Sequence, residues 1–277
     1  MMKHTDIRRK TDILRMAAMM LMVALCGMVA SAHDFEVGGV YYNILNAFNE
    51  VEVASAPSGT AYSGTVTIPE QVTHNNKVYR VTAVGDRAFA DCPSLEHVTL
   101  GGKVATIGKR AFLNCTGLTQ VTIPQAVALI KEYAFAQCTS LNTVVMNNDT
   151  PLELGTGAFM GCQSLEEVNW ASSERLEGKG GVAVLGTGAF MGCSSLQAML
   201  LSGTIEHLGT GIFGQCPQLE SLTVMKDTPL LLQGDPFALD KSQATIYVPT
   251  SGVAGAVASL YNSAVGWRDY NIAELPY

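Results

Sequence analysis

Charge is scarce in this sequence. Asp, Glu, Lys and Arg make up 15% of its 277 residues, and the basic kind is the scarcer, 17 against 24 acidic. A globular chain usually carries about a quarter. Hydrophobic content is ordinary at 48%, so the shortage of charge does not mean disorder, which needs low hydrophobicity and much charge. A net charge of −7 supplies no basic face for phosphates and excludes nucleic acid as the main partner. Catalytic signals are absent as well. There is no His-Glu-x-x-His, no Gly-x-Ser-x-Gly and no Cys-x-x-Cys, so the common zinc-protease, hydrolase and structural-zinc patterns have no support. Length alone allows one large domain or two ordinary ones.

The first 32 residues read as an address label. Lys3, Arg8, Arg9, Lys10 and Arg15 form a basic start, followed by an uncharged stretch at residues 16–30 and then Ala30-Ser31-Ala32, a small-x-small cleavage pattern. Fifteen apolar residues fall short of the roughly 20 that span a bilayer as a helix. A cleaved secretory signal is expected, with an uncleaved anchor as the rival. Cys26 admits lipoprotein processing as another alternative, although Leu25 stands where that processing favours Gly or Ala. Residues 1–32 hold five of the 17 basic and two of the 24 acidic side chains, so residues 33–277 keep 12 and 22, a net of −10.

The rest of the chain is periodic. Phe89, Phe112, Phe135, Phe159, Phe190, Phe213 and Phe237 lie 23, 23, 24, 31, 23 and 24 residues apart. The first six are each followed after three residues by Cys (Cys92, Cys115, Cys138, Cys162, Cys193, Cys216) and after three more by Leu (Leu95, Leu118, Leu141, Leu165, Leu196, Leu219). An aliphatic residue stands five before each Phe, from Val84 and Ile107 to Leu208 and Leu232. Leu95-x-x-Val98-x-Leu100 and its equivalents alternate with a step of two, which predicts a strand with its apolar set inward. Ala-Phe-x-x-Cys suits one short helical turn with Phe and Cys on the inner side. Gly85, Gly108, Gly155, Gly186 and Gly209 precede that turn, where unusual backbone angles are expected. One such coil cannot bury its own stripe; stacked coils can. The expected fold class is α/β, a solenoid of parallel strands and short helical turns.

Ile/Val-Gly-x-x-Ala-Phe-x-x-Cys-x-x-Leu-x-x-Val resembles the leucine-rich repeat of BspA-type (Treponema pallidum-type) surface proteins of the Bacteroides kind. The resemblance covers residues 81–238 at repeat level. Phe35-Glu36-Val37, Tyr41-Tyr42-Asn43-Ile44 and the stretch from Tyr62 to Pro69 resemble the family's β-rich N-terminal cap, placed at 33–80. Ile246-Tyr247-Val248-Pro249, Gly266-Trp267 and Asn271-Ile272 resemble its closing segment, placed at 239–277. Lys131 replaces the repeat glycine in the third copy, extra polar residues fall at 172–181, and Asp240 stands where a seventh Cys would be. The resemblance implies adhesive or host contacts. The lack of any catalytic or ligating set implies a non-enzymatic protein without cofactor or metal, and the leader implies export to the cell surface or beyond, with the periplasm as another place.

Equivalent positions for all six cysteines of residues 33–277 predict a ladder of buried thiols pointing one way. Scattered disulfides are the alternative, disfavoured because parallel side chains do not aim at each other. Gly155-Thr156-Gly157 and Gly186-Thr187-Gly188 resemble a phosphate loop faintly, but their phase with the repeat makes them turns. Glu166-Glu167 reads as solvated, and the sequons at Asn114 and Asn148 as chance. What remains is the outward set of strand residues: His97, Thr99, Gln120, Thr122, Thr143, Val145, Glu167, Asn169, Ala198, Leu200, Ser221 and Thr223. Val145 and Leu200 are apolar in a row expected to meet solvent, with Trp170 nearby in sequence. They suit a protein ligand; a surface glycan is the alternative, although a sugar platform wants aromatics and the row holds few.

Overall fold

The computed structural model describes residues 33–147, 151–170, 181–232, 235–239, 244–250 and 253–275. The expected signal segment with Cys26, the Asn148 sequon, residues 172–180 of the polar loop and Asp240 lie outside the described residues. The chain opens with β1 (Phe35–Val37), β2 (Val40–Ile44), β3 (Glu50–Val53), β4 (Gly64–Thr67), β5 (Gln71–His74) and β6 (Lys77–Val84). Strands then come in pairs: β7 (Leu95–Thr99) and β8 (Thr106–Ile107), β9 (Gln120–Ile123) and β10 (Leu129–Ile130), β11 (Thr143–Met146) and β12 (Pro151–Leu154). β13 (Glu167–Trp170) and β14 (Gly181–Leu185), then β15 (Ala198–Leu201) and β16 (His207–Leu208), continue the series. β17 (Ser221–Val224), β18 (Thr245–Val248), helix α1 (Ala256–Ser263) and β19 (Asn271–Glu274) close it.

Each coil therefore contributes to two sheets. Strands from the Leu-x-x-Val stretches, joined by β4 at one end and by β18 and β19 at the other, build a five-stranded sheet, β13-β11-β9-β7-β4, and a four-stranded sheet, β15-β17-β18-β19, both parallel throughout. The aliphatic residue five before each of the first six Phe ends a strand of a second, ten-stranded sheet, β1-β2-β3-β6-β8-β10-β12-β14-β16 with β5 beside β6. The pairs from β3 to β16 are parallel, and β1, β2 and β5 join antiparallel.

The core between the sheets is a column of rings. Phe89, Phe112, Phe135, Phe159, Phe190, Phe213 and Phe237 stack with centroids 4.9, 4.8, 5.1, 5.3, 5.8 and 6.4 Å apart. Each such pair adds about 0.5–1.5 kcal/mol beyond its buried area. Tyr62 covers the first ring at 4.5 Å, and its hydroxyl donates to Ala54 O. Trp267 and Tyr270 meet Phe237 at the far end, and the indole N–H donates to Leu230 O at 2.7 Å. Behind Trp267, α1 buries Val257 and Tyr261. The Glu274 carboxylate accepts the N–H groups of Gly255, Val257 and Ala258, which holds its acid below the usual range and ties α1 to β19.

The Ala-Phe-x-x-Cys turn makes bonds of both kinds. Ala88 and Ala90 donate back to Gly85 O and Arg87 O within the coil, while Arg87, Phe89 and Asp91 donate to the next coil. The expected helical turn is instead a run of hydrogen-bonded turns, because Arg87 and Asp91 lie at φ 58° and 59°. Gly157 and Gly161 hold these two positions in the fourth coil, at φ 61° and 74°. The glycines just before the turn need a different explanation from the one expected, since none of Gly85, Gly108, Gly155, Gly186 and Gly209 has positive φ. Close approach is the cause: a Cβ on Gly108 would lie 2.6 Å from Asp86 N, and one on Gly209 2.4 Å from Thr187 N. Lys131 stands in this register with its ammonium 3.5 Å from Asp86, two coils back.

The thiols form the expected ladder, and each has a task. All six are free. Cys115, Cys138, Cys162, Cys193 and Cys216 place Sγ 3.0–3.3 Å from the Phe carbonyl of the preceding coil. Phe112 O thus accepts both the Cys115 N–H and the Cys138 thiol, using its two lone pairs. Burial pushes Cys92 and Cys216 up to about 11 and raises Cys138, Cys162 and Cys193 above the ordinary thiol, while Cys115 is raised first by its hydrogen bond with the Cys138 thiol and then by burial. Near pH 8 native thiols should therefore react with Ellman's reagent at least on the order of a hundredfold more slowly than free cysteine. In denaturant all six thiols of residues 33–277 should react. Fast native labelling of Cys138, measured by mass spectrometry, would contradict the ladder.

Candidate functional site

The outward residues of the five-stranded sheet fall into two rows. Thr65, His97, Gln120, Thr143 and Glu167 pair in register across β4, β7, β9, β11 and β13. Thr122, Val145 and Asn169 pair in the second row, which Thr67 and Thr99 begin. The inward partners Val121 and Val144 are buried, as alternation requires. His97, Thr99, Gln120, Thr122, Glu167 and Asn169 are exposed; Thr143 and Val145 are half-buried.

Leu200 and Thr223 stand together elsewhere, in the four-stranded sheet, where Leu200↔Thr223↔Tyr247↔Ala273 is one row and Ala198↔Ser221↔Thr245↔Asn271 the other. Among the described residues β13 and β15 do not pair, so Val145 and Leu200 do not share a sheet. Both are half-buried, so they make no continuous apolar patch.

The first sheet has an opening in it. β7 and β9 pair only at His97↔Gln120, although β9 and β11 hold four pairs in register and β4 and β7 hold four pairs with one shift between Gly64 and Thr65. Beyond that point a cavity of about 420 Å3 opens, lined by His97, Val98, Thr99, Leu100, Gln120, Thr122, Pro124 and Asn147. Four of the expected site residues meet there: His97, Thr99, Gln120 and Thr122. Pro124, which has no N–H to continue the ladder, begins the loop on one wall. A second hollow of about 510 Å3 lies on the other sheet, between Gln197, Ala198, Glu220, Ser221, Thr245 and Tyr247.

Sequence reasoning missed Thr65, Thr67, Thr245, Tyr247 and Asn271 as members of these rows. The signal was present: Ile246-Tyr247-Val248-Pro249 has the alternation of Val121-Thr122-Ile123-Pro124, which puts Tyr247 in the place of Thr122. Neither sheet has a Lys or Arg in its strands, while Glu96, Glu166, Glu167 and Glu220 are exposed on or beside the rows. The surface is polar, acidic at its margin and shallow. Among the described residues no helix is long and apolar enough to cross a membrane, and no group of three His, Cys, Asp or Glu is placed to hold a metal.

Stacked coils of parallel strands with a Leu/Phe/Cys core define a leucine-rich-repeat solenoid. The chain belongs to the family described as BspA type Leucine rich repeat region, which matches it in six copies over residues 62–179 and 172–233. Solved leucine-rich-repeat structures are similar to it. A T. pallidum leucine-rich-repeat protein is 21% identical, covering 88% of this chain and 83% of its own, with a TM-score of 0.45. A leucine-rich-repeat protein of Bacteroides ovatus is 20% identical, covering 88% and 77%, TM-score 0.45. A leucine-rich cell surface protein of Faecalibacterium prausnitzii is 20% identical, covering 88% and 95%, TM-score 0.39. No curated protein matches the chain.

Proposed function

We propose that this protein is a non-enzymatic, exported recognition module that binds a protein or extracellular-matrix-type ligand at the bacterial cell surface through the outward rows of its strands. The observation that carries this reading is the opening between β7 and β9, where four polar side chains, only His97 and Gln120 of them paired, surround a recess in the sheet. A rigid, regular backbone holds those side chains at fixed spacing, which lowers the ordering cost of binding. Acids at the margin and the absence of bases favour a ligand with a basic contact surface. Membership of a family of surface repeat proteins supports the same reading.

Immobilised matrix proteins provide the test. Thr122→Lys with Val145→Lys, two neighbours in register, should lower binding at least tenfold while the thermal transition stays in place. Glu206→Lys, an exposed position outside the rows, should bind as the parent does. Unchanged binding by the double variant would refute the strand-row reading. A glycan or envelope polymer is the second reading, favoured by Tyr247, a half-exposed aromatic over the second hollow. Glycan-array binding that Tyr247→Ala abolishes would decide for it.

A further inference from the structure

We infer that the outer edge of β4 is a second docking site, one that takes an extended peptide strand of a partner protein by β-augmentation. The two sheets do not begin at the same place. β3 and β4 flank the turn that carries Tyr62, yet the ten-stranded sheet continues past β3 through β2 and β1, whereas the five-stranded sheet starts at β4. The missing strands leave a step roughly 10 Å deep at about 4.8 Å per strand. A cavity of about 480 Å3 fills the step, between Ser63, Thr65 and Thr67 on one side and Gly38 and Gly39 of the β1–β2 turn on the other.

The main chain on the β4 side is ready to pair. Gly64 N–H donates to Ser94 O at 2.7 Å and Ile68 N–H to Thr99 O at 2.8 Å, both toward β7. Successive peptide groups of a strand alternate in direction, so the N–H and C=O groups of Thr65 and Thr67 face the step. No strand pairs with them among the described residues. Donors and acceptors repeating every second residue match an extended backbone and no compact ligand. The usual guards of an edge are missing between Thr65 and Thr67: there is no charge and no proline, and the one irregularity of register lies before them, between Gly64 and Thr65. Opposite, Gly38 and Gly39 have no atom within 4 Å of where a Cβ would sit, which leaves room for the partner's side chains. Thr65 and Thr67 also begin the strand rows, but this site uses their main-chain groups at the sheet edge, whereas the rows use side chains.

The probe is a synthetic peptide with the sequence of residues 118–124, Leu-Thr-Gln-Val-Thr-Ile-Pro, which in the protein already lies parallel to β7. Saturating peptide should slow hydrogen exchange of the Thr65 and Thr67 amides at least tenfold and leave Gly64 and Ile68 unchanged. Thr67→Pro, which removes an outward N–H and leaves the bonds to β7, should weaken the peptide at least tenfold; Thr67→Ser should not. The same peptide N-methylated at Gln120, Val121 and Thr122 should fail to bind the parent, an arm that decides the matter even where Thr67→Pro does not fold. Unchanged exchange at Thr65 and Thr67, or equal affinity for the N-methylated peptide, would overturn the proposal.

Discussion

Phe135→Ala is expected to destabilise the protein by about 3–5 kcal/mol, the range for emptying a fully buried Phe site. Phe135 is 0% exposed and its ring lies 4.8 Å from Phe112 and 5.1 Å from Phe159, so the cavity would have a ring on each side and little freedom to collapse. Apart from the Lys131–Asp86 ion pair, which reaches two coils back, coils pack mainly on their neighbours, and stability in such a stack is approximately a sum of coil terms and interface terms. Loss of the Phe135 ring weakens two interfaces together and uncouples the coils before it from those after it. Urea unfolding should show an earlier midpoint and a broader transition than the parent. A loss under about 1 kcal/mol would mean that the column of rings does not hold the stack together.

Trp267→Ala should cost a similar amount, about 3–5 kcal/mol, with a different distribution. Trp267 is 0% exposed, meets Phe237 at 5.4 Å and Tyr261 at 4.7 Å, and donates its N–H to Leu230 O. Its removal opens the end of the column and leaves a carbonyl without its donor. Fraying should start there. Hydrogen exchange should lose protection in β18 and β19 while β7 to β12 keep theirs, whereas Phe135→Ala should lower protection on both sides of the cut. Equal loss in all strands would show that the C-terminal end is not a separate layer.

The coil was legible because Phe, Cys and Leu recur at fixed distances, and inward positions such as Val121 and Val144 follow from alternation. The second sheet was not. Its strands include pairs such as Thr106–Ile107 and Leu129–Ile130, too short to show any alternation. The repeat glycines were visible, but their cause lies in a neighbouring coil, and contacts such as Gly108 with Asp86 N have no local signature. Outward residues were placed on the correct side, yet the break between β13 and β15 could not be read from the extra residues at 172–181. The recess at His97 and Gln120 depends on how two strands diverge, which residue types alone do not state.

The octapeptide Gly-Thr-Gly-Ala-Phe-Met-Gly-Cys occurs twice, at 155–162 and 186–193. Both copies occupy the same place in consecutive coils, with their rings stacked at 5.3 Å. A coil offers the same bonding surface above and below, so a duplicated one can join the stack without new chemistry at its borders. The two ends, sealed by Tyr62 and by Trp267, have no such freedom. Growth of this architecture is therefore intercalary: the reach of its strand rows changes in whole steps of about 4.8 Å, each step bringing a fresh pair of outward side chains.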